Sequence, residues 1–309
     1  MIIMKKLTLA LLPTALLLSA CGGAPAAENE KPRVVVSFYA LEYAAQEVVG
    51  DAADVTTLTM PGVDAHDLDL RPSQIADIGT ADLVVYLDGF QPAVDDAVGQ
   101  AGHDRVLDVT DAADLIEAHD DHDHDDHDHD DHDHDHGDHD PHFWQDPERM
   151  AQVGRAIAEE LGATYPEHAE QFRQGADALA EEMVALDDEY RTGLAECTRS
   201  EFVTSHQAFG YLADRYGLTE IAISGLSPEA EPSPARIADV HHLAEEHGIT
   251  TIFFETLTSP AVAEAIAGDL GVATAILDPL EGVSENSPGD DYPSIMRANL
   301  EALRVANDC

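Results

Sequence analysis

The sequence predicts an α/β protein of two Rossmann-like lobes joined by one long, rigid helix, with a ligand site in the cleft between the lobes. Three observations carry that prediction. Short β-branched runs, such as residues 33–38 (RVVVSF) and 82–87 (DLVVYL), alternate with helical patterns, which implies parallel strands covered by helices. The alternation occurs twice, once before residue 119 and again after residue 200. Between the blocks, Phe172, Ala176, Leu179, Met183, Leu186 and Tyr190 recur every three or four residues with acids between them, the pattern of one amphipathic helix.

In order, residues 33–38 form a buried strand, and 41–49 a helix stopped at Gly50. Strand 55–58, helix 72–78, strand 82–87, helix 90–99 and strand 106–109 complete the first block. Pro147 opens a helix that runs to Leu161 and ends at Gly162, since proline suits a first turn and glycine a terminus. Residues 166–194 then make a helix about 43 Å long at 1.5 Å per residue, a spine between lobes. The second block reads strand 201–204, helix 208–216, strand 219–223, helix 234–247, strand 251–254, helix 260–270 and strand 274–276, with a final helix over 292–306. The expected organisation is an N-terminal lobe at 33–163, a linking helix at 164–195 and a C-terminal lobe at 196–309.

The first 32 residues lie apart from this pattern. Lys5 and Lys6 precede an apolar run from Leu7 to Leu18, then small residues and Cys21, so residues 1–20 read as a secretory signal too short to span a bilayer comfortably. Leu18-Ser19-Ala20-Cys21 resembles the bacterial lipobox, which makes Cys21 the expected lipidated residue and 21–32 a tether to the outer face of the cell membrane. Acyl chains contribute about 0.8 kcal/mol per buried methylene, enough together for a stable anchor. In that compartment the two other cysteines, Cys197 and Cys309, are expected to pair, because disulfides persist outside the cytoplasm and two isolated thiols lack zinc-knuckle spacing. A loop of that size contributes about 4 to 5 kcal/mol in the chain-entropy model.

Charge excludes one class of partner. There are 62 acidic against 15 basic residues, for a net charge of −47, and all three lysines (Lys5, Lys6, Lys31) lie near the start. Nucleic-acid binding needs a basic surface that is absent here.

Nine of the 17 histidines (His119, His122, His124, His127, His129, His132, His134, His136 and His139) alternate with aspartate in one tract. With no apolar residue to join a core, the loop 119–140 is expected to be disordered. Imidazole and carboxylate suit zinc, copper and nickel, so the tract offers many weak, exchangeable metal sites. The remaining histidines differ in position. His66, His142 and His206 fall at strand ends or helix starts, where α/β folds hold ligands. His168, His241, His242 and His247 sit on helices beside glutamates and read as structural, and His103 as exposed loop. Asp278 also follows a strand, although an aspartate before proline, taken alone, reads as a turn.

Four segments, PGVDAHDLDLRPSQ, DPHFWQDPERM, TSHQAFGYLADRYGL and the pair FFETLTSP with LDPL, resemble the metal-binding lipoproteins of ABC-type zinc and manganese importers, the solute-binding cluster with ZnuA-like and TroA-like members. The resemblance runs from Arg33 to near the C-terminus and implies metal held between two lobes. It places His66 and His142 as ligands from the first lobe, and His206 and Asp278 from the second, with water as the substitute for Asp278. Histidine at 206 goes with zinc, where glutamate goes with manganese. Ala65 stands where some zinc members carry a glutamate, which closes that option. Glu255 is expected to orient a histidine through its other ring nitrogen, and Phe143 and Trp144 to wall the cleft.

The expected function is capture of Zn2+ as ligand and cargo, in a four-coordinate site with about 2.0 to 2.1 Å per nitrogen, and its delivery to a membrane permease driven by a separate ATPase. The chain is expected to act as a monomer, with the lobes rocking rather than opening wide, and acid is expected to release metal as histidines titrate near their ordinary value of about 6.5. Rival readings are a Mn2+ homologue, a surface metal buffer or adhesin, and a zinc hydrolase. The last needs an open coordination position and a general base; no H-E-x-x-H is present, and the expectation is a non-enzyme.

Overall fold

The computed structural model describes residues 31–102, 105–117 and 139–309. The expected signal segment, Cys21 and all but the last two residues of the expected tether lie outside them, as do His103 and the tract histidines from His119 to His136. Among the described residues, no helix is long and apolar enough to cross a membrane.

Strands β1 (Arg33–Val36), β2 (Asp54–Thr57), β3 (Leu83–Tyr86) and β4 (Val106–Asp108) form a parallel sheet in the order β2-β1-β3-β4. Strands β5 (Glu201–Thr204), β6 (Thr219–Ala222), β7 (Thr251–Phe254) and β8 (Ala273–Ile276) repeat it as β6-β5-β7-β8. In each sheet the order reverses beside the first strand, which opens a crevice at the strands' carboxyl ends.

Alternation along the strands sorts the core into layers. Val34 and Val36 of β1 face inward to the large central core, while Val35 faces a smaller cluster with Leu58, Ile78 and Val94. That outer cluster lies under α2 (Pro72–Thr80) and α3 (Pro92–Ala101). In β5, Phe202 joins the central core and Val203 the outer cluster under α8 (Pro234–His247) and α9 (Ala261–Leu270). The central core is one cluster drawn from residues between Val34 and Ala306, so the inner faces of both lobes share one apolar interior.

That interior is bounded by α1 (Tyr39–Val49), α5 (Pro147–Thr164), α6 (Ala169–Gly193) and α10 (Tyr292–Asn307). Helix α6 packs on α1 and α5 of the first lobe and on α10 of the second. Its 25 residues are fewer than the sequence pattern predicts, because residues 166–168 form a separate turn closed by His168 N–H to the Tyr165 carbonyl at 2.9 Å. Gly175 fits α6 against α1: a Cβ there would collide with the carbonyl oxygens of Glu47, at 2.6 Å, and Val48. Gly162, expected to end α5, lies inside it; a Cβ there would meet the Cβ of Ala169 at 3.2 Å. The glycine serves close packing rather than termination. One short helix, α4 (Thr110–Ala113), has no counterpart in the sequence prediction.

Cys197 and Cys309 form a disulfide across 112 residues. It ties the chain end to the segment leading into β5, where Thr198 and Arg199 donate backbone N–H groups to the Asn307 carbonyl.

Candidate metal centre

His66 lies in the loop from β2 to α2. Its backbone N–H donates to Asp64 Oδ1 at 2.8 Å, an Asx-type turn. Buried Gln91 holds the same loop by donating Nε2 to the Ala65 carbonyl at 2.9 Å. The imidazole stands edge-on to Phe90, with ring centroids 4.8 Å apart.

His142 follows the tract. Glu117, just before the tract, pairs in an antiparallel bridge with the exposed His139. Asp140 continues that join by donating its N–H to the Ile116 carbonyl at 3.0 Å. Its Oδ1 accepts the backbone N–H of His142 at 2.9 Å and the ring Nδ1–H at 2.7 Å. With Nδ1 engaged by a carboxylate, Nε2 is the ring atom aimed into the cleft.

His206 lies just past β5, before α7 (Gly210–Tyr216). Glu220 clamps this loop: its Oε1 accepts Thr204 Oγ1–H at 2.8 Å, and its Oε2 accepts the Phe209 N–H at 3.2 Å. Burial pushes the Glu220 carboxyl up to about 7. His206 Nδ1 donates to Glu255 Oε1 at 2.6 Å, and Ser205 Oγ donates to the same oxygen. Glu255, expected to orient a histidine, lies against the Nδ1 side of His206.

The three rings converge on one carboxylate oxygen. Glu281 Oε1 lies 3.1 Å from His142 Nε2, 3.1 Å from His206 Nε2 and 3.3 Å from His66 Nε2. His66 and His142 are 3.3 Å apart through their Nε2 atoms. All four donor atoms lie within 4.8 Å of one another. A tetrahedral ion with bonds of about 2.0 to 2.1 Å needs donors about 3.3 Å apart, so this set fits a small four-coordinate cation. His142, His206 and Glu281 are buried, and His66 is 13 % exposed at the side chain, which puts the opening on its side.

The fourth position corrects the sequence expectation. Asp278 is buried but lies outside the converging group. Its Oδ1 accepts the Leu280 N–H at 2.9 Å, and its Oδ2 accepts Thr256 Oγ1–H at 3.2 Å. The turn it closes brings in Glu281 instead. The Asp-Pro pair had carried the turn signal, and Gly282 marks the close approach: a Cβ there would meet the Val63 carbonyl oxygen at 2.9 Å. Phe143 and Trp144 are fully buried beside the site, with the indole 5.3 Å from the His142 ring.

The electrostatics also depart from free histidine. Burial alone pulls the His142 imidazolium down, but Asp140 and Glu281 outweigh it and hold the ring up at about 9. His206 is likewise opposed by burial yet held well above its usual value by Glu255 and Glu281. Burial would raise Glu281, but His66 and His206 keep it well below the usual carboxylate range. The raised rings of His142 and His206 thus face the lowered carboxylate of Glu281 as opposite charges in the cleft.

His168, His241, His242 and His247 take no part in the group. His247 ends α8 before Gly248 and faces Glu201 at 3.4 Å.

The family described as ZnuA, zinc-uptake complex component A, periplasmic, matches residues 34–306. The zinc-binding lipoprotein AdcA of Streptococcus pneumoniae is 36 % identical over 318 residues, covering 99 % of this chain and 62 % of the relative. The chain thus spans about three fifths of the AdcA proteins it matches. The high-affinity zinc uptake system protein ZnuA of Bacillus subtilis is 36 % identical, covering 94 % of this chain and 93 % of the relative. Among solved structures, the Zn(II)-bound ZnuA-like domain of Streptococcus pneumoniae AdcA superposes with a TM-score of 0.73 at 33 % identity, covering 90 % of this chain and all of that one.

Proposed function

This chain belongs to the ZnuA family of zinc-uptake complex A components, and on that footing we propose that it captures Zn2+ outside the cytoplasm and hands it to an ABC permease powered by a separate ATPase. The observation that carries the reading is the convergence of His66, His142 and His206 Nε2 on Glu281 Oε1. Three nitrogens and one oxygen in a tight, buried set suit zinc over the harder manganese ion, which prefers oxygen and a larger shell. Four protein donors leave no open position for an activated water, in keeping with a carrier rather than a hydrolase.

His66 and His142 come from the lobe at 33–163, and His206 and Glu281 from the lobe at 196–309. A small rocking of one lobe about the helix at 164–195 therefore changes donor spacing and weakens the hold on the ion. Lipidated Cys21 keeps the protein at the membrane surface beside its permease, as a monomer. The histidine tract feeds the site from next to His142.

Competition titration of the signal-free chain against chelators tests this. One tight zinc site is expected, lost in His206→Ala and Glu281→Ala and retained when residues 119–138 are removed, with manganese bound far more weakly. Manganese binding tighter than zinc, or a tight site that vanishes with the tract, overturns it.

A further inference from the structure

Leu280 is fully buried and adopts φ 63°, a left-handed conformation that a leucine avoids unless its surroundings impose it. Those surroundings are hydrogen bonds to the turn's backbone. Asp278 Oδ1 accepts the Leu280 N–H, and Thr256 Oγ1 donates to Asp278 Oδ2. Asn299, buried in α10, accepts the Asp278 N–H at 2.9 Å and donates Nδ2 to the Asp278 carbonyl at 2.7 Å. From the first lobe, Trp144 Nε1 and Gln145 Nε2 donate to the Pro279 carbonyl at 2.7 and 2.6 Å. Leu280 is followed at once by Glu281, whose Oε1 lies 3.1 to 3.3 Å from the Nε2 atoms of all three histidines.

We propose that Asp278 is a positioning residue for metal choice: by locking the left-handed turn at Leu280, it restricts Glu281 to ligation through one oxygen. A single oxygen with three nitrogens completes a tetrahedron for zinc. A freer Glu281 would present both oxygens and enlarge the shell, which favours six-coordinate ions such as manganese. The inference rests on the proposed zinc reading of the site.

The test compares Asp278→Ala, Asp278→Asn, Thr256→Val and Glu281→Gln in the full signal-free chain. Zinc and manganese affinities are measured by competition, and the visible spectrum is recorded with less than one equivalent of cobalt(II). Asparagine can still accept the Leu280 N–H, so Asp278→Asn should stay close to the parent in affinity and in its intense tetrahedral cobalt band. Asp278→Ala should weaken zinc binding about 10- to 100-fold, the range for groups that orient a ligand. It should also narrow the zinc-over-manganese ratio and weaken the cobalt band. Thr256→Val should move the ratio and the band in the same direction by less, and it carries the test if Asp278→Ala does not fold. Loss of thermal stability with an unchanged metal ratio and cobalt band overturns the proposal. So does an Asp278→Asn variant as impaired as Glu281→Gln, because Asp278 would then be a ligand itself. Failure of the parent chain to bind one tight zinc ion sinks the proposed function instead.

Discussion

The indole N–H of Trp144 donates to the Pro279 carbonyl at 2.7 Å, joining the residue two past His142 to the residue two before Glu281. One hydrogen bond thereby ties a proposed donor of the first lobe to one of the second. Trp144→Phe keeps most of the buried ring and removes this bond, while Gln145 still serves the carbonyl. The expected cost is about 1 to 2 kcal/mol of stability, read by urea denaturation, with faster zinc release to a chelator in stopped flow. Unchanged release would show that the bond does not couple the lobes. Trp144 is also the sole tryptophan. Because it lies against the His142 ring, zinc binding should raise its fluorescence as the quenching imidazolium is replaced by a metal-bound neutral ring.

Proton release should accompany zinc binding at neutral pH. His142 is raised from 6.5 to about 9 in the metal-free fold. For a group whose folded value is raised, the stability it contributes is present below about 6.5 and is lost as pH climbs toward 9. Metal-free protein should therefore lose melting temperature across that window, while zinc affinity rises because fewer protons compete. Calorimetry in buffers of different ionisation enthalpy counts the protons released. A count near zero at pH 7 would mean that the rings are already neutral.

Glu255 should matter through His206 alone. It accepts Nδ1–H at 2.6 Å and makes no approach to the converging donors. Removing such a partner typically costs about 10- to 100-fold in metal affinity. Glu255→Ala is expected in that range and Glu255→Gln, which keeps an acceptor, well short of it. Equal losses in the two would argue that charge rather than orientation is what Glu255 supplies.

Arg215 should be a stability residue with no bearing on metal. From α7 its guanidinium reaches Asp146 at 3.1 Å, Glu148 at 2.9 Å and Asp187 at 2.6 Å, joining α5, α6 and the second lobe. Its side chain is 14 % exposed and the Asp146 side chain 9 %, so removal strands partly buried carboxylates. Arg215→Ala should cost about 2 to 3 kcal/mol, measured by thermal and urea unfolding, with zinc affinity unchanged. A large fall in affinity at intact stability would contradict that assignment.

Much of this protein is determined by local pattern. Val34, Val35 and Val36 alternate between two apolar layers, and that alternation is written in the β-branched run itself. His66, His142 and His206 were legible because each follows a strand or opens a helix in a repeated α/β pattern. The opening of α6, the packing role of Gly162 and the identity of the fourth donor were not. Asp278 and Glu281 are three residues apart and chemically alike; which of them enters the cleft depends on the backbone at Leu280. That backbone is held by Asp278 together with Asn299, 21 residues from it, and Trp144, 135 residues from Pro279. Periodicity records which face of an element is buried. It carries no record of hydrogen bonds from distant residues that hold one residue in a left-handed turn, and so only the tertiary structure shows Glu281 beside the three histidines.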